Sequence, residues 1–161
     1  MIVEDGTGIS NANSYVARAD ADTYFAERAR EEWAAATTAA RDAALIRATQ
    51  FVEHRWSTRF VGIRASSGQA LSWPRVEAVN AYGFEESGVP NAVKVATMEA
   101  AVEALSASLF VVDNPSERVS RLQAGSFSVN LDATAPARRD IEAVNSAIAP
   151  VVLSVSKTLR A

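Results

Sequence analysis

Apolar residues recur every three to four positions over much of the chain, a spacing typical of amphipathic helices. The pattern predicts a first helix over residues 18–30, with acids in its first turn and arginines in its last, as the helix dipole favours. A connector around Trp33 has the composition of one further helical turn. The next helix has Thr37 or Thr38 as its cap and runs to about Arg55 with a single apolar stripe.

The longest predicted helix spans residues 90–112 and begins at Pro90, where the missing N–H costs nothing. It is apolar on two sides, so it either lies at the centre of the fold or buries one side against another subunit. The pattern leaves both alternatives open. One stripe comprises Val95, Met98, Val102, Leu105, Leu109 and Val112, and the smaller one comprises Val93, Ala96, Ala100, Ala104 and Ala107.

After this helix the period changes to two residues. Alternation on both sides of Ala124-Gly125 predicts a β-hairpin over residues 117–132. A lone hairpin is marginally stable in water, so it is expected to pack on helices or to join a neighbour's sheet. The apolar positions of its second strand are Phe127, Val129 and Leu131.

A last helix is predicted after Pro136, and Pro150 ends it. The predicted fold class is therefore mainly α: a small helical bundle with one β-hairpin and a C-terminal helical tail. One domain over residues 1–161 is expected. Its parts are an N-terminal arm (1–17), a helical core (18–112), the hairpin (117–132), and a C-terminal helix and tail (136–161).

Residues 56–90 are rich in glycine and proline and show little periodicity, which is typical of a functional segment or one packed against a partner. Within them, Pro74 forces Trp73 into an extended conformation and so fixes a large ring in one place. The ring either closes one end of the core or contacts a partner. Closing the core is the favoured interpretation.

The composition excludes several kinds of catalytic and metal-binding site. With 48% hydrophobic and 22% charged residues, the chain has the balance of an ordinary globular protein. It has no cysteine, which excludes disulfides and a thiolate nucleophile, and one histidine, His54, expected at the surface near a helix end. Asp20 and Asp22 point apart on a helix, and no phosphate-binding glycine loop or nucleophile motif occurs. No enzyme activity, cofactor, metal or catalytic residue is expected.

The net charge of −3 argues against a dedicated binder of DNA phosphates. The first residues lack the features of a signal peptide, and no apolar stretch is long enough to span a bilayer. The protein is therefore expected in the cytoplasm when made.

Five segments together resemble a family of small tailed-phage proteins, labelled DnaT-like single-stranded-DNA-binding proteins. In size and layout the chain is also similar to the head–tail adaptor, or connector, subunits of long-tailed phages. None of the shared motifs is catalytic, so the resemblance implies a structural role. The segments are IVEDGTG (2–8), NANSYV (11–16), ADADTYF (19–25), ALIRAT (44–49) and QALSWPR (69–75).

The resemblance implies a virion protein, located in the neck or connector after a period in the host cytoplasm. Its role would be as a subunit of the adaptor ring that joins the portal of the head to the tail and lines the DNA channel. The implied partners are further copies in a homo-oligomeric ring (twelve-fold by resemblance), the portal protein, tail or neck proteins, and double-stranded DNA that passes without sequence-specific binding. Neither a membrane nor a cofactor is implied. Candidate interface residues are Trp73, Arg75, Phe127, Val129, Leu131, Val151, Val152 and Leu153.

An alternative is a single-stranded-DNA-binding accessory protein in phage replication. It would stack bases on aromatic rings and hold phosphates with arginines. The negative net charge favours the adaptor over this alternative. The residues concerned are Trp33, Trp56, Trp73, Tyr82 and Phe84 for stacking, with Arg55, Arg59, Arg64 and Arg75 for phosphates.

Overall fold

The computed structural model describes residues 1–110, 121–124, 127–130 and 140–153. They belong to two compact units, one formed by Met1–Leu109 with the segment from Ile141 onward, the other by Phe110–Asp140. Over the described residues the fold is mainly α-helical, which confirms the predicted fold class. None of the described helices is long and apolar enough to cross a membrane.

The first predicted helix, 18–30, is shorter in the structure. Helix α1 spans Arg18–Ala26 and begins after Ala17, which makes no side-chain capping hydrogen bond. It ends four residues before the predicted boundary because the chain turns sharply there, with Ala29 in the left-handed region at φ 49°. Helix α2 spans Glu31–Ala35 and is the further helical turn expected around Trp33.

Helix α3 spans Thr38–Trp56, close to the predicted bounds. The Thr37 hydroxyl accepts a hydrogen bond from the backbone N–H of Ala40 at 3.2 Å, so Thr37, one of the two predicted residues, is the cap. One face is buried in the core, as the single apolar stripe predicts. His54 lies on the exposed side. The buried residues of the helix are Ala44, Leu45, Ala48, Thr49, Phe51, Val52 and Trp56.

Helix α4 spans Asn91–Ser106 and follows Pro90, but it is shorter than the predicted 90–112. It ends because Ala107 adopts an extended backbone, with φ −150° and ψ 161°, although the Ala107 N–H still donates to the Glu103 carbonyl at 3.1 Å. The helix packs against α3 and against α5, the C-terminal helix Glu142–Ile148. Most of the described residues of the two stripes are buried within this chain, while Val95, Leu105 and Ala107 are half-buried, so α4 is central to the fold.

Two antiparallel two-stranded sheets occur among the described residues. The first joins β1 (Ile63–Arg64) to β2 (Arg75–Val76) inside the segment predicted as irregular. The second joins β3 (Arg121–Ala124) to β4 (Phe127–Asn130) and confirms a hairpin within the predicted range. The outer residues of that prediction, Leu131 included, lie outside the described part.

After α5, a short 3-10 helix at Ala149–Val151 leads into a segment that runs beside residues 59–61. The Val61 N–H donates to the Val151 carbonyl at 3.0 Å, and the Leu153 N–H donates to the Arg59 carbonyl at 2.7 Å. Val151 is consequently buried, Val152 is half-buried, and Leu153 is exposed. Pro136 and the residues after 153 lie outside the described part.

Candidate functional site

The N-terminal arm is organised by the buried carboxylate of Glu4, which is 1% exposed. It accepts hydrogen bonds from the backbone N–H groups of Gly6 and Gly8 at 2.9 Å and of Ile9 at 2.8 Å. A buried carboxylate needs several such donors to offset its lost hydration. The N–H groups of this glycine-containing loop therefore bind the protein's own side chain, and the loop does not offer them to a phosphate.

A second internal network joins the arm to α3 and to the tryptophan motif. The Tyr15 hydroxyl donates to Glu53 and accepts from the backbone N–H of Trp73 at 3.2 Å. The other carboxylate oxygen of Glu53 accepts from the hydroxyl of Ser72 at 2.7 Å. Burial, and then the Glu53 charge, raise the pKa of Tyr15 well above its usual value. Tyr15 therefore stays neutral and serves as a structural link.

Trp73 lies fully inside this chain, at 0% exposure, and its ring contacts Phe60 edge-on with centroids 5.7 Å apart. The peptide bond to Pro74 is cis. Among the described residues its indole nitrogen has no hydrogen-bond partner. The structure therefore places Trp73 in the core, as the favoured interpretation predicted, and away from any partner that approaches the surface.

The predicted phosphate-binding arginines have different environments. The guanidinium of Arg75 donates to the carbonyls of Val61 at 2.7 Å and Gly62 at 2.5 Å, and burial lowers its pKa. Arg64 donates to the carbonyl of Gln69. These two arginines hold the loop together. The other two differ, because Arg55 lies half-buried with its guanidinium 5.0 Å from the Trp56 ring centroid, while Arg59 is exposed.

The aromatic side chains proposed for base stacking separate into two groups. Trp33, Trp56 and Trp73 are buried in the core. Tyr82 and Phe84 are 73% and 70% exposed. Because stacking needs an open ring face, only these last two of the five candidates present a suitable surface.

Tyr82 and Phe84 lie on a tight turn, residues 80–84, here called the aromatic turn. The side-chain oxygen of Asn80 accepts from the N–H groups of Tyr82 at 2.9 Å and Phe84 at 3.1 Å. The Asn80 N–H donates to the Phe84 carbonyl at 2.8 Å, and its amide nitrogen donates to Glu86 at 2.7 Å. Gly83 supplies the left-handed residue, at φ 86°. The turn is thus fixed by its own hydrogen bonds.

The aromatic turn is also anchored to the body of its unit. The Ala81 N–H donates to the Pro150 carbonyl at 2.8 Å, and the Glu86 N–H donates to the Ala78 carbonyl at 2.8 Å. Sequence reasoning named both aromatic residues but missed Asn80. The sequence did contain a signal for this turn, since Asn80 stands three residues before Gly83, and an asparagine at such a position is typical of a turn in which the side chain bonds the nearby backbone.

Apolar side chains are exposed nearby in the same loop region. Ile63 on β1 lies opposite Val76 on β2, and both side chains are exposed. Directly paired residues of antiparallel strands project from the same face of a sheet, so these two form an exposed apolar pair. Of the predicted interface residues, Leu153 is exposed as well. For Phe127 and Val129 only the backbone positions on β4 are described.

A shallow groove of about 360 Å³ lies between α1 and α2, floored by Phe25 and Trp33. The Arg41 guanidinium at its edge donates to Asp22 at 3.1 Å and to the carbonyls of Trp33 and Ala34. That arginine is therefore part of the helix–helix contact. Among the described residues, no group of three or more acidic or histidine side chains is placed to hold a metal ion.

Comparison with known proteins assigns the family. The model of the family described as "Putative DnaT-like ssDNA binding protein" matches residues 1–161. The chain belongs to this family, as the five sequence segments predicted. No curated protein and no solved structure matches the chain. The more specific assignment to head–tail adaptors stays a hypothesis.

Proposed function

We propose that this protein binds single-stranded DNA without catalysing a reaction, and that the aromatic turn is its contact with the bases. The observation that carries the proposal is the exposure of Tyr82 and Phe84 on a turn fixed by Asn80. The description of the family supports it.

The physical argument rests on stacking. Each base that stacks on an aromatic ring contributes about 1–3 kcal/mol, whatever its sequence. A turn already held by its own hydrogen bonds loses little conformational entropy on binding, so more of this energy appears as affinity. Duplex DNA does not offer the same contact, because its bases are stacked on one another. The surface therefore suits single strands.

Electrostatic attraction contributes little to the expected affinity for single-stranded DNA. The chain carries a net charge of −3, and the guanidinium groups of Arg64 and Arg75 donate to backbone carbonyls of their own loop. Few phosphates are then neutralised, and the affinity should fall only slowly as salt is raised. We expect binding to be weak and driven mainly by the two rings.

The test is fluorescence anisotropy with a labelled oligo-dT of about 20 nucleotides, compared with a duplex of equal length. The double variant Tyr82→Ala, Phe84→Ala should lose about 30-fold or more in affinity, since two stacking contacts are removed. Tyr82→Phe keeps the ring and should bind as the wild type does. The matched control is Ile63→Ala, another exposed apolar side chain without a ring. Equal affinity for single and double strands, or no loss in the double variant, would contradict the proposal.

The head–tail adaptor is a second candidate, favoured by the exposed apolar pair Ile63 and Val76. Exposed apolar side chains at fixed positions suit contact with another subunit or a portal protein. Experiments on the wild type and on a double variant of this pair distinguish the adaptor from the single-stranded-DNA-binding protein. If the wild type does not bind oligo-dT but forms rings in electron micrographs, and Ile63→Ser with Val76→Ser abolishes the rings, the adaptor is favoured.

A further inference from the structure

The C-terminal segment Pro150–Leu153 connects the aromatic turn to an exposed arginine. At one end the Pro150 carbonyl accepts from the N–H of Ala81, inside the turn. At the other end the N–H of Leu153 donates to the carbonyl of Arg59. Between them, Val152 forms an antiparallel bridge with Phe60. The turn and Arg59 are therefore attached to opposite ends of one short segment.

The separation of the two attachment points follows from backbone geometry. Three residue steps, the first in a 3-10 helix and the others extended, span roughly 8–10 Å. The Arg59 guanidinium lies by the Leu153 carbonyl, at the end of the segment away from the turn. A nucleotide strand is long enough to span this separation, so one base on the turn is compatible with an adjoining phosphate at the guanidinium.

The Arg59 guanidinium has more N–H donors than it uses in hydrogen bonds to the described residues. In the described part of the chain its guanidinium makes one long hydrogen bond, 3.5 Å to the Leu153 carbonyl. Arg64 and Arg75, by contrast, are committed to loop carbonyls. A guanidinium carries five N–H donors in a fork that matches phosphate oxygens.

We infer that Arg59 is the phosphate-contacting residue of the single-stranded-DNA surface, an inference that rests on the proposed function. The ligand is a nucleotide strand with one base stacked on the aromatic turn and an adjoining phosphate on Arg59. Glu85 follows Phe84 directly and is exposed, so its charge opposes a phosphate on the turn side. A phosphate position away from Glu85 is therefore favoured, which is consistent with Arg59 as the contact.

The test measures the dependence of oligo-dT affinity on salt for four proteins: wild type, Arg59→Ala, Arg59→Lys and Arg28→Ala. The last is the matched control, an exposed arginine that follows α1 and lies 3.6 Å from the Tyr24 ring centroid. Loss of one phosphate contact should reduce the slope of log affinity against log salt by about 0.7 in Arg59→Ala. Arg59→Lys and Arg28→Ala should keep the wild-type slope.

The outcomes separate this inference from the proposed function. If the wild type binds, depends on Tyr82 and Phe84, and shows the same slope in Arg59→Ala, then Arg59 is not the phosphate contact and only this inference fails. An equal reduction of the slope in Arg28→Ala would also overturn it, because the effect would then be one of net charge. If the wild type does not bind oligo-dT at low salt, both the proposed function and this inference are wrong. Circular dichroism of each variant checks that it is folded.

Discussion

Gly62 and Gly83 provide a controlled test of how tightly the loop region is packed. Both have a left-handed backbone, with φ 72° and 86°. An added methyl group at Gly62 would lie 2.5 Å from the Val76 carbonyl oxygen and 2.8 Å from Ala78, whereas at Gly83 it would meet nothing within 4 Å. The two substitutions to alanine therefore share the backbone cost and differ in the steric overlap.

The magnitudes follow from these contacts. The left-handed conformation costs alanine about 1–2 kcal/mol, partly offset by the smaller entropy of its unfolded chain. Overpacking against backbone atoms adds about 1–3 kcal/mol, because the chain itself must move. We expect Gly83→Ala to lose about 1 kcal/mol and Gly62→Ala about 3 kcal/mol. The displaced backbone would also disturb the bonds from Arg75 to the carbonyls of Val61 and Gly62.

Urea unfolding followed by circular dichroism measures both variants against the wild type. The difference of about 2 kcal/mol corresponds to a melting temperature roughly 4–8 °C lower for Gly62→Ala than for Gly83→Ala. The m-value should not change, since the same surface is exposed on unfolding. Equal losses of stability in the two variants would refute the reasoning, because the overlap would then cost nothing.

Two further predictions concern the buried Tyr15 and the partly buried Tyr24. Tyr15→Phe leaves the N–H of buried Trp73 and the carboxylate of Glu53 each without one partner. The free energy of unfolding in urea titrations should therefore fall by about 2–4 kcal/mol. Tyr82→Phe should change that free energy by under about 0.5 kcal/mol, and equal effects of the two variants would contradict the hydrogen-bond network of Tyr15. Alkaline pH should also destabilise the protein, because burial raises the pKa of Tyr15 well above 10.0 and that of Tyr24 to about 12. The unfolded phenols ionise first, so the stability from these neutral groups is complete below about pH 10 and lost as the pH rises further. In unfolding titrations at about pH 8 and 11, Tyr24→Phe should show a smaller fall than the wild type, and an identical fall would be evidence against this assignment.

The local pattern of the sequence was sufficient where local physics decides the structure. The cap at Thr37, the start of α4 after Pro90 and the hairpin within residues 117–132 were all predicted correctly. Each depends on hydrogen bonds or side-chain periodicity within a few residues. The same pattern misplaced the end of α4, because the apolar spacing continues past Ser106 whereas the backbone becomes extended at Ala107.

Only the tertiary structure decided which side chains are free to act. The periodicity showed two apolar sides on α4, but it did not show whether another subunit covers one of them. In the structure, α4 packs against α3 and α5 of the same chain. Likewise, the sequence named five aromatic residues as candidates for stacking, yet three tryptophans are buried while Tyr82 and Phe84 are exposed. The reason is physical. An aromatic ring that fills a core and one that stacks on a base have the same composition, and they differ only in what the rest of the chain places around them.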